Sequence, residues 1–499
     1  MRLASKGIAL LAAGFAVVVA IMAWNTWRLP DAIFDLGPPR PEIVARVEAV
    51  DVGRIASRIG AAVRFPTIIN DNYELDREAF LALHDWLEDT YSAAHAVLER
   101  DVVNDLSLIY RWPGRSDCPA IGFVSHLDVV PVEKATLEDW THPPFSGIVA
   151  DGFIWGRGAV DTKDNLIIIM EALESLALRG FEPECDVYLL TGHDEENGGF
   201  HGAIPSSELL NARGVRFAWL LDEGGGFSAN LDGSTEPLVA SITLAAQGYL
   251  TVRVIARGEA GHSSEALEDT AITRLAEALL SLRDNPFEGS LKGTAQIDVA
   301  ARAAGGPLAL RVMSANQWAF RPLSESIVES YGAAHFLRST MVATVIEGGD
   351  KENSIPGTAS ALVNIRLHPR DTVDDALAWL KSHVNPDFIS VEQHGPATPA
   401  RRPAQHDGIG FSELANAIGS VMGPVRIVPS FGSGSSDASN YQALTDAAFN
   451  FEAEDDLPNG SANAHGVNER KSIDFLAEAV VIHELLIEQH GLSPATNER

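Results

Sequence analysis

Three apolar runs in this chain each stop in a cluster of acids or histidine: "AIGFVSHLD" (120–128), "DVYLLTGHDEE" (186–196) and "VRFAWLLDEGG" (215–225). Helical stretches such as "AFLALHDWLEDTY" (79–91) precede or separate them. Continuous apolar strands alternating with helices imply a largely parallel sheet buried on both faces, with helices on either side. Ligands of such sheets lie outside the carboxyl ends of the strands. Three strands ending in acids or histidine therefore direct attention to one edge of one sheet.

From about residue 246 the texture changes. "YLTVRVIARG" (249–258), "STMVATVIEGG" (339–349) and "ASALVNIRLHP" (359–369) alternate like half-exposed strands, with helices between them. The fold expected is an α/β catalytic domain with a mostly parallel sheet, carrying an inserted smaller α+β lid domain. The boundaries expected are 42–245 and 398–499 for the two parts of the catalytic domain, and 246–397 for the lid. Residues 1–41 are read as anchor and tether.

The anchor rests on residues 7–24, "GIALLAAGFAVVVAIMAW", which hold only apolar residues and glycine. Such a stretch is long enough to span a bilayer and long for a signal-peptide core. An N-terminal transmembrane helix is expected, with a single-pass membrane location and an extracytoplasmic catalytic domain; a cleaved signal peptide is the alternative. A formal net charge of −31, from 68 acidic against 37 basic residues, repels nucleic acid, so no nucleic-acid partner is expected. The two cysteines, Cys118 and Cys185, are far apart and form no C-x-x-C, so they are read as small core residues rather than a disulfide or a thiolate metal site.

The polar clusters carry the chemistry. His126 and Asp128 end the first run; Asp161 follows in "GRGAVDTKDN", where a carboxylate could equally cap the next helix. Asp194, Glu195 and Glu196 are three consecutive acids, costly to bury unless a cation or proton neutralises them. Asp222 and Glu223 repeat that arrangement, and His465 sits in the loop "NAHGVNE". Imidazole with carboxylate and no thiolate suits a catalytic zinc site, with donors enough for two ions bridged by one carboxylate.

Taken in order, "SHLDVVP", "GRGAVDTKDN", "TGHDEENGG", "LLDEGG", "GEAGHSS" and "HGVNE" resemble the motif series of the di-zinc amidohydrolases that include carboxypeptidase S and the aminoacylases. The anchor, the lid and "LLDEGG" resemble the carboxypeptidase S branch. The resemblance implies that His126 binds one zinc, His465 the other, and that Asp161 bridges them. It gives Glu196 to one metal and either Asp222 or Glu223 to the other; cobalt or manganese could replace zinc. Glu195 is implied as general base, Asp128 as the acid orienting His126, and His262 of "GEAGHSS" as an oxyanion donor, reaching across a homodimer formed through the lid. Asn353 of "NSIP" and Arg366 match positions that hold a substrate's free carboxylate. Gly434 belongs to a loop, "SGSSDAS", that departs from the family's "G-G-T-D". The activity implied is hydrolysis of the amide next to a C-terminal free amino acid, in a short peptide or an N-acyl amino acid. An inactive membrane-tethered binding protein and an aminopeptidase using the same metals are the other readings.

Overall fold

The computed structural model describes residues 2–29, 33–34, 36–70, 72–230, 233–265, 267–432, 434–455, 457 and 460–492, with side chains of 2–11 and 33–34 outside that description. Two compact units are present: one comprises 32–244, 403–430 and 436–499, the other 1–31, 245–402 and 431–435.

The larger unit is built on a ten-stranded mixed sheet. Its centre is parallel: Ala448–Asn450, Phe217–Asp222, Ala120–His126 and Val187–Gly192 lie side by side. Antiparallel strands flank it, Ser107–Trp112 and Glu99–Val103 on one side and Val239–Ala246 on the other. The strand Ala120–His126 is buried at every residue because both faces are covered. Ile121 and Phe123 join the core built with Leu166, Ile169 and Leu485, whereas Ala120 and Val124 join a second core with Leu210 and Tyr441. This two-sided burial explains the unbroken apolar run. The helix Lys163–Leu178 sits so deep in its layer that all of Lys163–Leu173 is buried, so "NLIIIMEAL" shows no polar stripe.

The smaller unit holds a four-stranded antiparallel sheet in the order Thr340–Gly348, Thr358–Leu367, Gly248–Arg257, Ile389–Gln393. Leu250, Val252 and Val254 face Leu275, Ala278 and Leu380 of its helices. The helix Val373–Ser382 starts with a capping box between Thr372 and Asp375, which satisfies two otherwise unpaired backbone N–H groups.

Two expectations are corrected here. A helix, Arg2–Trp27, does form over the apolar stretch, but among the described residues no helix is long and apolar enough to cross a membrane. The last turn of Arg2–Trp27 is also engaged by polar groups: Asn25 Nδ2 donates to Asn316 Oδ1 at 3.0 Å, and Asn316 Nδ2 donates to the Met22 carbonyl at 3.2 Å. The transmembrane helix, the single-pass membrane location with its extracytoplasmic domain, and the membrane as partner are not supported.

The second correction concerns the cysteines. Cys118 and Cys185 form a disulfide, 5.4 Å between Cα atoms. They precede the neighbouring parallel strands Ala120–His126 and Val187–Gly192, so pairing of the strands brings together residues that are 67 apart in sequence. A cross-link closing a loop of that length stabilises by about 4 kcal/mol through loss of unfolded-chain entropy. Replacing both cysteines by alanine should lower the denaturation free energy by that order while leaving metal content unchanged. An unaltered denaturation midpoint would show that the cross-link contributes nothing.

Candidate metal centre

The site lies at the carboxyl edge of the parallel strands of the larger unit. His126 is the last residue of its strand, Asp222 the last of another, and Glu195 and Glu196 open a short turn just past Val187–Gly192. Asp161 precedes the helix Lys163–Leu178 without capping it, since the residue at the cap is Thr162 and makes no side-chain capping bond. His465 comes from a loop near the end of the unit.

Asp161 stands between the two histidines. Its Oδ1 is 3.0 Å from His126 Nε2, and its Oδ2 is 2.9 Å from His465 Nε2. Glu196 approaches His465 Nε2 at 2.9 Å, and Glu223 approaches His126 Nε2 at 3.4 Å. Donor atoms of His126, Asp161 and Glu196 lie within 4.8 Å of one another, as do those of His126, Glu195 and Glu223. Of the neighbours Asp222 and Glu223, it is Glu223 that reaches His126. The Asp222 carboxylate instead accepts the backbone N–H of Ala438 at 2.7 Å and that of Glu223 at 2.9 Å.

Asp128, fully buried, is the brace of this edge. Its two oxygens accept the backbone N–H groups of Glu195 and Glu196, each at 3.1 Å. His126 Nδ1 donates to the Asp128 carbonyl at 3.0 Å, leaving Nε2 to face the carboxylates. In the run "HDEE" the first two side chains point elsewhere: His193 pairs with Ser107 at 2.6 Å, and Asp194 accepts the N–H groups of His201 and Gly202.

Burial sets the electrostatics. It pushes Glu223 up to about 8, against the opposing effect of His126. It holds Glu195 well above the usual carboxylate range, opposed by His126 and reinforced by Glu223 and Asp437. It raises Glu196 as well, opposed by the bond to His465. Hydrogen bonds to Asp161 and Glu196 carry His465 up to about 10, while His126 and His465 outweigh burial at Asp161 and hold it low. Three glutamates this close, each favouring a proton, beside an ionised Asp161 are what a cation would replace. The donor set of two imidazoles and three carboxylates therefore fits a pair of divalent ions, with His126, Asp161 and Glu223 about one and His465, Asp161 and Glu196 about the other.

The remaining expected residues belong to the smaller unit. His262 is exposed, its Nδ1 2.8 Å from Ser264 Oγ, on a two-residue ladder with Ser354, beside Asn353, whose carbonyl accepts the Ser263 N–H at 3.2 Å. Arg366 is not beside them. It pairs with Tyr249 and lies over that ring, whereas Thr358, at the ladder's end of the same strand, pairs with Arg257, roughly 27 Å away at the antiparallel rise. Gly434 has open space where a side chain would stand.

Two features escaped the reading of the sequence. Asp437, 1% exposed, occupies space left by glycines: a Cβ on Gly192 would lie 2.3 Å from its Oδ2, and one on Gly199 2.5 Å from its Oδ1. Glu469, in the quoted "HGVNE", is wholly buried against the Asp161 turn. A glutamate four residues after the loop histidine, inside the quoted motif, was the available signal.

Comparison with known proteins agrees with this geometry. The model of peptidase family M20/M25/M40 matches residues 122–489, and the chain belongs to that family. The chain is 29% identical over 443 residues to a probable carboxypeptidase S-like protein of Dictyostelium discoideum, covering 87% of this chain and 84% of that one. It is 32% identical over 433 residues to the N-fatty-acyl-amino acid synthase/hydrolase PM20D1 of Bos taurus, covering 84% and 85%. Among solved structures it is similar to an M20 family metallo-carboxypeptidase of Sulfolobus solfataricus, with TM-score 0.64 and 18% identity over 88% of this chain and 99% of that one. It is also similar to a dinuclear metal-binding M20 peptidase, YXEP of Bacillus subtilis, with TM-score 0.52 and 15% identity over 87% and 98%. The protein is a metal-dependent amidohydrolase of the carboxypeptidase and aminoacylase type, similar to carboxypeptidase S-like and N-acyl amino acid hydrolases.

Binding metal must displace protons from Glu223, which holds one below about pH 8, and from the His465 imidazolium, which holds one below about pH 10. Affinity should therefore fall steeply as pH drops below 8, by about tenfold per pH for each proton released. Titrating metal-free protein at pH 6, 7 and 8 measures this; affinity independent of pH would contradict the protonation pattern.

Proposed function

We propose that the protein hydrolyses the amide bond next to a free C-terminal amino acid, in N-acyl amino acids or short peptides, using two zinc ions. The observation that carries this reading is the Asp161 carboxylate, one oxygen toward His126 and the other toward His465, with Glu195 beside the cluster. The activities in the relatives' names, carboxypeptidase and N-fatty-acyl-amino acid hydrolysis, support the substrate class. Zinc suits the imidazole and carboxylate donors, cobalt or manganese being replacements.

Held by His126, Asp161 and Glu223 and by His465, Asp161 and Glu196, a divalent pair would supply Lewis acidity toward a water and the substrate carbonyl. Glu195, raised in proton affinity by its buried surroundings, takes the proton of that water and gives it to the departing nitrogen. Asp128 orients His126 and holds the Glu195–Glu196 backbone, so the base and a neighbouring ligand share one support. Arg366 offers a guanidinium fork for the substrate carboxylate. His262 and Asn353 stand at the other end of the small unit's sheet from Arg366, so we assign them to the site of a second copy, His262 as oxyanion donor there. Gly434, with open space where a side chain would stand, is assigned to the substrate-carboxylate loop. The pairing surface is the edge strand Thr340–Gly348, which exposes Val342, Val345 and Ile346.

Two experiments test these assignments. Ile346→Lys should shift the protein toward monomer in sedimentation equilibrium and depress hydrolysis together; a monomeric wild type with full activity would remove the shared-site assignment. Glu195→Gln keeps the shape but cannot accept a proton, so turnover should fall on the order of a hundred- to ten-thousand-fold with both metals retained. Glu196→Gln should instead release one metal. Rate and zinc stoichiometry measured side by side decide the roles; loss of zinc from Glu195→Gln and not from Glu196→Gln would reverse them.

A further inference from the structure

The turn that carries Asp161 and the loop that carries His465 are fastened by a reciprocal pair of side chains. Arg157, four residues before Asp161, donates from Nη2 to the His465 carbonyl at 2.9 Å. Glu469, four residues after His465, accepts through Oε1 the backbone N–H groups of Gly158 at 2.8 Å, Val160 at 3.1 Å and Asp161 at 3.4 Å. The two side chains close the circuit through an ion pair between Arg157 Nη1 and Glu469 Oε2, with exposures of 4% and 0%. Each segment thus supplies the residue that holds the other's backbone.

The loop needs such a hold. His465 has a side chain 52% exposed and a left-handed backbone, φ 61°, as do Asn463 at 68° and Asn468 at 63°. Non-glycine residues persist there only when their surroundings fix them. His126 has no such need: it ends a central strand and is braced by Asp128. The His465 loop therefore depends on a device of its own, whereas Asp128 braces His126 and the Glu195–Glu196 backbone.

We propose that Arg157 and Glu469 are positioning residues that fix the His465 loop against the Asp161 turn and so set chiefly the affinity of the ion that His465 would hold, while Asp128 braces His126 and the Glu195–Glu196 backbone. This rests on the two-metal reading above. Because the pair is buried and acts through backbone groups, substrate does not meet it; its effect is to lock the bridging carboxylate and the loop histidine into one body. Outer partners of this kind typically alter metal affinity by ten- to a hundredfold.

The test titrates metal-free full-length protein with zinc, by calorimetry and by competition with a chromogenic chelator. Wild type should bind two ions; fewer than two would fail the two-metal reading itself, before the clamp is tested. In Glu469→Gln one of the two sites should weaken by ten- to a hundredfold while the other, which shares only Asp161 with it, weakens by much less. Arg157→Lys, which keeps the charge but not the fork, should weaken the same site less. The Arg157→Leu/Glu469→Leu double variant removes both charges, so no buried ion is left unpaired, and should still show the selective loss. Equal weakening of both sites, or none, would overturn the proposal. Amide exchange in the wild type gives a measure free of any folding defect: residues 157–161 and 463–469 should slow together when the second zinc equivalent is added. Independent exchange of the two segments would also overturn it.

Discussion

The structure of the larger unit converges on one carboxylate. Asp161 lies 3.0 Å from one imidazole and 2.9 Å from another, and these come from a central strand and a late loop. Several acids gather round that contact, each disfavoured as an anion by burial. Such a cluster opposes folding unless cations or protons neutralise it. The sheet, its two covered faces and the buried helix behind Asp161 supply the apolar burial against which that cost is set. Stability and function are therefore in tension at one point, and metal relieves both.

How far the sequence showed this depends on whether the physics was local. The strands of the larger unit's centre were visible because burial on both faces leaves an unbroken apolar run, and the polar residues at their ends stood out against it. The antiparallel flanks were not distinguished from the parallel centre, since direction is set by connections rather than by composition. Asp222 and Glu223 could not be told apart at a strand end; the Ala438 N–H, from a segment far along the chain, holds Asp222 and leaves Glu223 facing His126. The disulfide was hidden for the same reason, because which strands lie side by side decides which cysteines meet. The apolar stretch near the start misled in the opposite direction, since hydropathy alone does not register the asparagine contacts at the helix end.

Asp128 and Glu469 show a further limit. Both are acids next to chemistry-bearing histidines in sequence, and a residue count gives them the same standing as ligands. Their carboxylates instead brace the chain: Asp128 accepts two backbone N–H groups and lies 3.4 Å from His126 Nδ1, and Glu469 accepts three through one oxygen and pairs with Arg157 through the other. Only the fold reveals that these acids hold the chain on which the other acids are mounted.

The smaller unit interrupts the larger one, which resumes only at residue 403. On a ribosome, the segment bearing His126, Asp161, Glu196 and Glu223 emerges well before the segment bearing His465. The strand Ala448–Asn450, which pairs with Phe217–Asp222 at the heart of the sheet, also comes late. A nascent chain holding these early members of the cluster thus has neither the last imidazole nor a closed sheet, and the intervening unit must be synthesised first. Completion of the cluster consequently waits for the last segment and coincides with closure of the sheet.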